Sequence, residues 1–355
     1  MKLTIVGAGF FGCTLARLAD DHGWDVTVFE TADIPGGAAA DDIVDGTPRS
    51  RYGAHIFHTN NKTVWEFARR FTEFTNYVHT VQAERDGIFY TFPINLKTMN
   101  EVLGITSLKQ AEQYLGDRPP HDGSLEGWCI SNIGVPLYET FIKDYTEAQW
   151  GVPCSELPSS IITRLPVRLN FDNRYFSTIW QGMPIGGYTK WCRKMLGDVK
   201  VRYGEKWESG QGPVVHTGRV DHYLGMNELP FRSMEFIEEM GPSQGCSVLN
   251  HLKPIDGVVR TVQPDMFYPH DLSRKHIMKT DGKDVLLIKD KPCADGDPHY
   301  PINSRANSVI HKALLNEVRD GLYFGGRVGG YKYLDIDQTM AAAFSMWKKL
   351  YANYK

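Results

Sequence analysis

The chain has 355 residues, of which 42% are hydrophobic and 23% are charged, as in an ordinary soluble globular protein. This length is too great for one small core and favours two or three domains. The net charge of −3, with basic residues interspersed among acidic ones, gives no reason to expect a nucleic acid as a partner.

The cysteines and the hydropathy pattern exclude further classes of protein. The six cysteines are widely spaced and form no Cys-x-x-Cys pair, which argues against a zinc site and a disulfide framework. No stretch approaches the roughly 20 apolar residues of a membrane span. The apolar run over 3–9 is too short for a signal peptide. We therefore expect a cytoplasmic protein with no bound metal and no membrane partner.

The first thirty residues predict a strand, a helix and a second strand. Residues 2–6 form a short apolar run, as in a buried parallel strand. A helix is predicted over 13–22, with Leu15, Leu18 and Ala19 on one face. Residues 25–30 predict the second strand, which completes half of a Rossmann-type βαβ unit.

A glycine motif joins the first strand to the helix. Gly7 permits a tight turn, Gly9 lets the backbone approach a pyrophosphate, and Gly12 lets helix and strand pack closely. Phosphates would lie at the helix N-terminus, where N–H groups and the helix dipole favour negative charge. Glu30 ends the second strand, where a carboxylate can bind ribose hydroxyls.

The rest of the chain predicts a helical insert followed by a β-rich region. Residues 62–74 carry apolar side chains at helical spacing, and the pattern from about 95 to 149 is mostly helical. Short β-like runs then alternate with glycine and proline turns. These runs lie at 161–163, 199–203, 214–217, 285–289 and 321–324. A final helix is predicted over 336–350.

Two further glycine pairs favour FAD over NAD as the cofactor. Gly36-Gly37 follows the ribose-binding acid, and Gly325-Gly326-Arg327 follows the last predicted strand. We predict an α/β fold with a Rossmann-type FAD-binding domain over 1–94 and 303–355. An inserted helical subdomain is predicted over 95–157, and a mainly antiparallel β substrate domain over 158–302.

Several motifs, in order along nearly the whole chain, resemble those of the UDP-galactopyranose mutase family. They lie at 7–12, 53–59, 145–151, 164–168, 173–176 with 181–182, and 325–335. The resemblance implies an isomerase that interconverts UDP-galactopyranose and UDP-galactofuranose. In this family N5 of the reduced flavin attacks the sugar C1 to form an adduct, and NAD(P)H is the usual reductant.

The resemblance also implies roles for individual residues. Arg164 and Arg260 would clamp the diphosphate, because arginine is always charged and binds phosphate through a planar fork. His58 would lie by the isoalloxazine ring. The cofactor residues would be Gly7, Gly9, Phe11, Gly12, Glu30, Gly37, His55, Arg327 and Asp335. The substrate residues would be Phe141, Tyr145, Thr146, Trp150 and Asn250 near the uracil, and Tyr175, Tyr300 and Tyr333 on the phosphates.

Some features depart from the family pattern and leave alternatives open. The segment 257–261 matches poorly apart from Arg260, and His79 stands where some members have asparagine. A mutase acting on UDP-N-acetylgalactosamine or on a dTDP-linked 6-deoxy sugar is the first alternative. An FAD oxidoreductase of the amine-oxidase type and a non-catalytic flavin- or nucleotide-binding module are the others. A homodimer is compatible with the resemblance.

Overall fold

The computed structural model describes residues 1–44, 46–116, 120–163, 165–210, 212–268 and 284–354. The chain divides into two compact units. Unit 1 comprises Met1–Asn76, Ile179–Ser233 and Asp297–Lys355, and unit 2 comprises Tyr77–Thr178 and Met234–Gly296.

The strands are numbered in chain order. In the first half of the chain they are β1 (Lys2–Val6), β2 (Asp25–Glu30), β3 (Asp41–Val44), β4 (Thr47–Ser50), β5 (Phe57–Thr59), β6 (Val81–Arg85) and β7 (Ile88–Phe92). In the second half they are β8 (Trp180–Gly182), β9 (Lys200–Tyr203), β10 (Val214–His216), β11 (Phe231–Gly241), β12 (Val248–Ile255), β13 (Val258–Val262), β14 (Val285–Cys293), β15 (Tyr300–Pro301) and β16 (Leu322–Phe324).

The helices are numbered in the same way. Those before residue 151 are α1 (Phe10–Asp21), α2 (Lys62–Ala68), α3 (Leu96–Leu103), α4 (Leu108–Leu115), α5 (Leu125–Ile133), α6 (Val135–Phe141) and α7 (Lys143–Trp150). Those after it are α8 (Tyr188–Leu196), α9 (Val220–Tyr223), α10 (Arg305–Asn316), α11 (Gly326–Gly329) and α12 (Ile336–Tyr354). Among the described residues, no helix is long and apolar enough to cross a membrane.

Unit 1 is built on a parallel sheet with the strand order β16–β10–β1–β2–β9. Alternate side chains of β1 and β2 are buried, among them Leu3, Ile5, Val26 and Val28. Helix α1 packs against α8 and α12. Helix α1 also contacts β1 and β2, and helical cover of a sheet face explains why the buried side chains of these strands are apolar.

The predicted first helix begins earlier than its apolar pattern suggests. The sequence places it over 13–22, whereas α1 begins at Phe10, directly after Gly9. The Cys13 amide donates to the Gly9 carbonyl at 2.9 Å, so the first turn closes on the glycine motif itself. The helix N-terminus therefore lies at the end of β1, where the predicted phosphate site requires it.

The middle segment of unit 1, residues 179–233, lies in a region that the sequence assigns to the substrate domain. Strands β9 and β10 pair in parallel with β2 and β1, so residues 179–233 belong with the Rossmann sheet. Residues 77–94, predicted to lie in the cofactor domain, belong to unit 2, where β6 pairs with β7 and β12. A predicted β-run over 161–163 is wrong, because Ser159–Ile161 forms a 3-10 turn after Pro158.

Unit 2 combines helices α3 to α7 with a sheet in the order β11–β14–β13–β12–β6–β7. The pairs β12–β13, β13–β14 and β6–β7 are antiparallel, whereas β6 and β12 run parallel. Helix α7 packs against β12, β13 and β14. The fold is thus the predicted α/β class, with a parallel Rossmann sheet and a separate, largely antiparallel sheet.

Candidate active site

A cavity of 410 Å³ in unit 1 opens at the carboxyl ends of the parallel strands. Val6, Glu30 and His216, the last residues of β1, β2 and β10, all line it. Ligands of open α/β sheets bind at this edge. The cavity is also lined by Gly7, Gly9, Phe11, Gly36, Gly37, His55, Gly326 and Arg327, so most of the predicted cofactor residues lie together.

The glycine motif forms the wall beside the N-terminus of α1. Gly7 adopts a φ of +106°, and its amide donates to the Phe29 carbonyl at 2.7 Å, which turns the chain sharply out of β1. A Cβ on Gly12 would stand 1.9 Å from the Gly7 oxygen. A Cβ on Gly9 would find only the Gly37 Cα within 4 Å, at 3.8 Å. The wall at Gly9 thus leaves room for a close approach to the backbone, as a pyrophosphate requires.

Both later glycine pairs also reach this wall. Gly36 donates from its amide to the Ala8 carbonyl at 2.8 Å, which brings the second glycine loop against the first. The Phe11 ring packs against Gly325 so closely that a Cβ there would stand 2.3 Å from it. These contacts explain why glycine occupies positions that are distant along the chain.

Glu30 ties the glycine loop to the end of β2. One carboxylate oxygen accepts from the Ala8 amide at 2.7 Å, and the other accepts from the Ala32 amide at 2.9 Å. A carboxylate has about four acceptor sites, so ribose hydroxyls can still be accepted. Glu30 can therefore both hold the glycine loop through its backbone amides and accept hydrogen bonds from a ribose.

Replacing Glu30 with alanine is expected to weaken flavin retention by about 1.5–3 kcal/mol, because hydrogen bonds to a charged group are lost. The measurement is the flavin-to-protein ratio after dialysis, with the melting temperature as a check on folding. Glu205 provides the control, since this exposed carboxylate pairs with Arg202 at 3.2 Å at the same cavity. Glu205→Ala should retain flavin like the unsubstituted protein. Equal retention by both variants would contradict the role of Glu30.

Aromatic side chains at the cavity were missed by the sequence analysis. Phe29, Trp207 and His216 line it, and the rings of Trp207 and His216 lie 6.2 Å apart. Burial lowers the pKa of His216 below its ordinary value, which favours the neutral ring. Aromatic faces suit a planar base such as adenine. Phe29 lies on β2, whereas Trp207 and His216 are brought to the cavity by the parallel pairing of β9 and β10.

Three predicted residues come together at Arg327. Its Nε and Nη2 groups donate to the Leu334 carbonyl at 3.1 and 2.8 Å, which fixes the guanidinium. The guanidinium lies 5.1 Å from the centre of the Tyr333 ring and 5.8 Å from that of Tyr300. The two tyrosine rings stack with centroids 5.6 Å apart. Two hydroxyl-bearing rings therefore lie beside the guanidinium of Arg327, which lines the cavity.

The two predicted histidines have different surroundings. The Nδ1 atom of His55 lies 3.1 Å from the Gly53 carbonyl. Nε2 of His58 lies 3.7 Å from an Asp335 carboxylate oxygen at the start of α12. Burial raises the pKa of the nearby Asp337. Within the described ranges, no three His, Cys, Asp or Glu side chains gather into a group that could hold a metal ion.

The predicted uracil residues lie in unit 2, on α6, α7 and β12. Phe141, Thr146 and Trp150 are buried, and Tyr145 is half-buried. The Phe141 ring packs in the unit's core, 5.5 Å from the Tyr90 ring. Asn250 stands directly opposite Arg260 in the register of β12 and β13. The roles of these side chains toward a base stay predictions.

Of the two predicted clamp arginines, the structure describes Arg260, whereas Arg164 lies outside the described residues. The Nε group of Arg260 donates to an Asp290 carboxylate oxygen at 2.6 Å, and Nη2 contacts the same oxygen. The Asp290 side chain is fully buried. Arg260 therefore compensates the buried negative charge of Asp290, in addition to any role in binding a diphosphate.

Tyr175 lies in a loop of unit 2. Its amide donates to the His79 carbonyl at 2.7 Å, and its ring centroid lies 5.2 Å from that of His79. The loop is thereby attached to the residue at which the sequence departs from the family pattern.

The comparisons with known proteins agree with this geometry. A model described as an NAD(P)-binding Rossmann-like domain matches residues 5–71, and the UDP-galactopyranose mutase model matches 140–333. The chain is 32% identical to a probable UDP-galactopyranose mutase of Klebsiella pneumoniae, over 96% of this chain and 92% of that protein. It is 30% identical to dTDP-fucopyranose mutase of Escherichia coli, over 96% of each.

The solved structures support the same fold. A crystal structure of reduced UDP-galactopyranose mutase matches with a TM-score of 0.75 at 13% identity, over 99% of this chain and 94% of that one. The parallel sheet, glycine loop and cavity define a dinucleotide-binding protein of the Rossmann class. The chain belongs to the UDP-galactopyranose mutase family, a family of isomerases.

Proposed function

We propose that the chain is an FAD-dependent nucleotide-sugar mutase that interconverts UDP-galactopyranose and UDP-galactofuranose. The observation that carries the proposal is the cavity of 410 Å³, where the glycine motif, Glu30 and Arg327 lie together in a chain of this family. The open wall at Gly9 and the aromatic residues Phe29 and Trp207 fit the pyrophosphate and adenine of FAD.

The proposed chemistry divides between the cofactor and the protein. Reduced flavin supplies, when bound, a nucleophilic nitrogen for the anomeric carbon of the sugar, and NAD(P)H is the proposed reductant. The hydroxyls of Tyr300 and Tyr333 donate to phosphate oxygens beside the fixed Arg327 charge. Such preorganised donors hold the charge that develops on a departing diphosphate.

The remaining proposed contacts belong to unit 2 and to Arg164. Tyr145 and Trp150 offer aromatic faces to the base, and Tyr175 offers a hydroxyl to the phosphates. Arg164 enters this proposal through the resemblance alone. Arg260 is proposed to bind the diphosphate as well, although part of its guanidinium is already paired with Asp290.

A second nucleotide sugar is also supported. The relative from Escherichia coli at 30% identity is named a dTDP-fucopyranose mutase and is nearly as similar as the Klebsiella protein. A pyranose–furanose mutase acting on a dTDP-linked 6-deoxy sugar is therefore the alternative function.

The test is turnover as a function of flavin oxidation state. Purified protein is incubated anaerobically with UDP-galactofuranose after reduction by dithionite or NAD(P)H, and the pyranose form is measured by chromatography. We expect product from the reduced protein and none from the oxidised protein. Equal rates in the two states would contradict flavin-based catalysis. Parallel incubations with dTDP-fucofuranose decide between the two sugars.

A further inference from the structure

One buried arginine outside the predicted site holds the backbone of the loop over 172–177, here called the Tyr175 loop. The Arg168 side chain is only 9% exposed. Its Nη1 group donates to the carbonyls of Asp172, at 3.2 Å, and of Arg174. Its Nη2 group donates to the Ser177 hydroxyl at 2.7 Å. One guanidinium thus binds the loop at its beginning, its middle and its end.

Arg168 is itself attached to the body of unit 2. Its amide donates to the Ile94 carbonyl at 3.0 Å, directly before α3. The Asn95 side chain donates to the same Asp172 carbonyl at 3.3 Å. Arg168 therefore connects the Tyr175 loop to the residues that precede α3.

The bond to the Arg174 carbonyl has a particular consequence for Tyr175. That carbonyl and the Tyr175 amide belong to one planar peptide group. The carbonyl end accepts from Arg168, and the amide end donates to the His79 carbonyl at 2.7 Å. Because both ends of the peptide are held, the direction in which the Tyr175 side chain leaves the backbone is held too.

We propose that Arg168 is a positioning residue that orients Tyr175 toward the nucleoside diphosphate. The proposal rests on the proposed function, in which the Tyr175 hydroxyl donates to a phosphate. Arginine is required because three acceptors in different directions are reached by one planar group with five N–H donors. Lysine has one nitrogen and cannot reach them together.

Arg174 in the same loop provides a matched control. Its side chain is 53% exposed and pairs with the Asp172 carboxylate at 2.8 Å. It has the same charge as Arg168 and also contacts Asp172. Among the contacts described, however, it donates to no carbonyl of the loop. Removing Arg174 tests the charge of the loop without removing the attachment of its backbone.

The first experiment compares Arg168→Gln and Arg174→Gln. For Arg168→Gln we expect KM for the nucleotide sugar and the Kd of UDP on the oxidised protein to rise about tenfold, from the lost charge-assisted hydrogen bonds. Flavin content and kcat should change less. Arg174→Gln should stay within about twofold in all of these values. A UDP Kd unchanged in Arg168→Gln would overturn the proposal.

The second experiment asks whether Arg168 acts through Tyr175. In a double-mutant cycle with Tyr175→Phe, the effect of Arg168→Gln on UDP affinity should largely vanish once the hydroxyl is absent. Independent, multiplying effects would overturn the proposal. If Arg168→Gln does not fold, Ser177→Ala removes one of the three acceptors and should raise the UDP Kd severalfold, and an unchanged Kd would again contradict it. Absent turnover by the reduced unsubstituted protein would count against the proposed function alone.

Discussion

Replacing Gly12 with alanine is expected to prevent unit 1 from folding into a flavin-binding form. The new Cβ would stand 1.9 Å from the Gly7 oxygen and 3.1 Å from the Gly7 carbonyl carbon. Neither atom can move away easily, because Gly7 adopts a turn with a φ of +106° and its amide donates a hydrogen bond to the Phe29 carbonyl. The soluble yield and the flavin-to-protein ratio measure the effect, and we expect both to fall to near zero.

Gly9→Ala provides the contrast within the same motif. Its Cβ would meet only the Gly37 Cα, at 3.8 Å, and the φ of −72° is ordinary for alanine. We expect this variant to fold with a nearly unchanged melting temperature. Its flavin should bind at least about tenfold more weakly, since a methyl group on the cavity wall displaces a phosphate from backbone N–H groups.

The pair of glycine variants separates folding from binding. A folded Gly12→Ala protein with normal flavin content would mean that the close packing of α1 on β1 is not required. A Gly9→Ala protein that keeps its flavin through dialysis would place the pyrophosphate elsewhere. Either result would remove the physical basis of the predicted phosphate site.

The N-terminal part of the cavity was predictable because its signals are local. The strand β2 lies over the predicted residues 25–30, and Gly7, Gly9 and Glu30 line one cavity as expected. A strand, a glycine turn and a helix in one contiguous stretch need no long-range information, because each element limits the position of the next. The first helix begins earlier than predicted, because Gly9 and not the first apolar residue of the pattern precedes its first turn.

The other half of the cavity depends on pairings that local patterns do not contain. Strands β9 and β10 are short, and nothing in their composition distinguishes a parallel partner of β2 from an antiparallel strand elsewhere. Trp207 and His216 reach the cavity only through that pairing.

The attachment of the Tyr175 loop by Arg168 in unit 2 could not be predicted from the sequence either, because its acceptors are mostly backbone carbonyls.

Arg260 shows how a residue with a predicted binding role acquires a structural one. The resemblance assigns it to a diphosphate clamp, yet its guanidinium also compensates Asp290, which has no exposed surface. Cross-strand ion pairs of this kind follow from register, here Arg260 opposite Asp290 on β13 and β14. The register of two strands separated by a long connection is not contained in local sequence patterns.

Replacing Arg260 with alanine is therefore expected to destabilise the protein by about 3 kcal/mol, at the low end of the range for breaking a buried ion pair, since the arginine side chain is 25% exposed. Arg85 is the matched control in the same unit, with an equal side-chain exposure of 25% but a partner, Asp144, that is 38% exposed. Arg85→Ala should cost about 1 kcal/mol or less. Denaturant titration measures both values.

The cause of the loss can be isolated with Asp290→Asn, which removes the buried charge and retains the shape of the side chain. In that background Arg260→Ala should cost clearly less than it does alone, because no uncompensated carboxylate remains. Activity can then be measured in the variant that combines Asp290→Asn with Arg260→Ala, because its folding depends less on Arg260. Turnover that stays low there, with flavin bound, would support the clamp role. An equal destabilisation in both backgrounds would show instead that packing of the arginine side chain, and not its charge, stabilises unit 2.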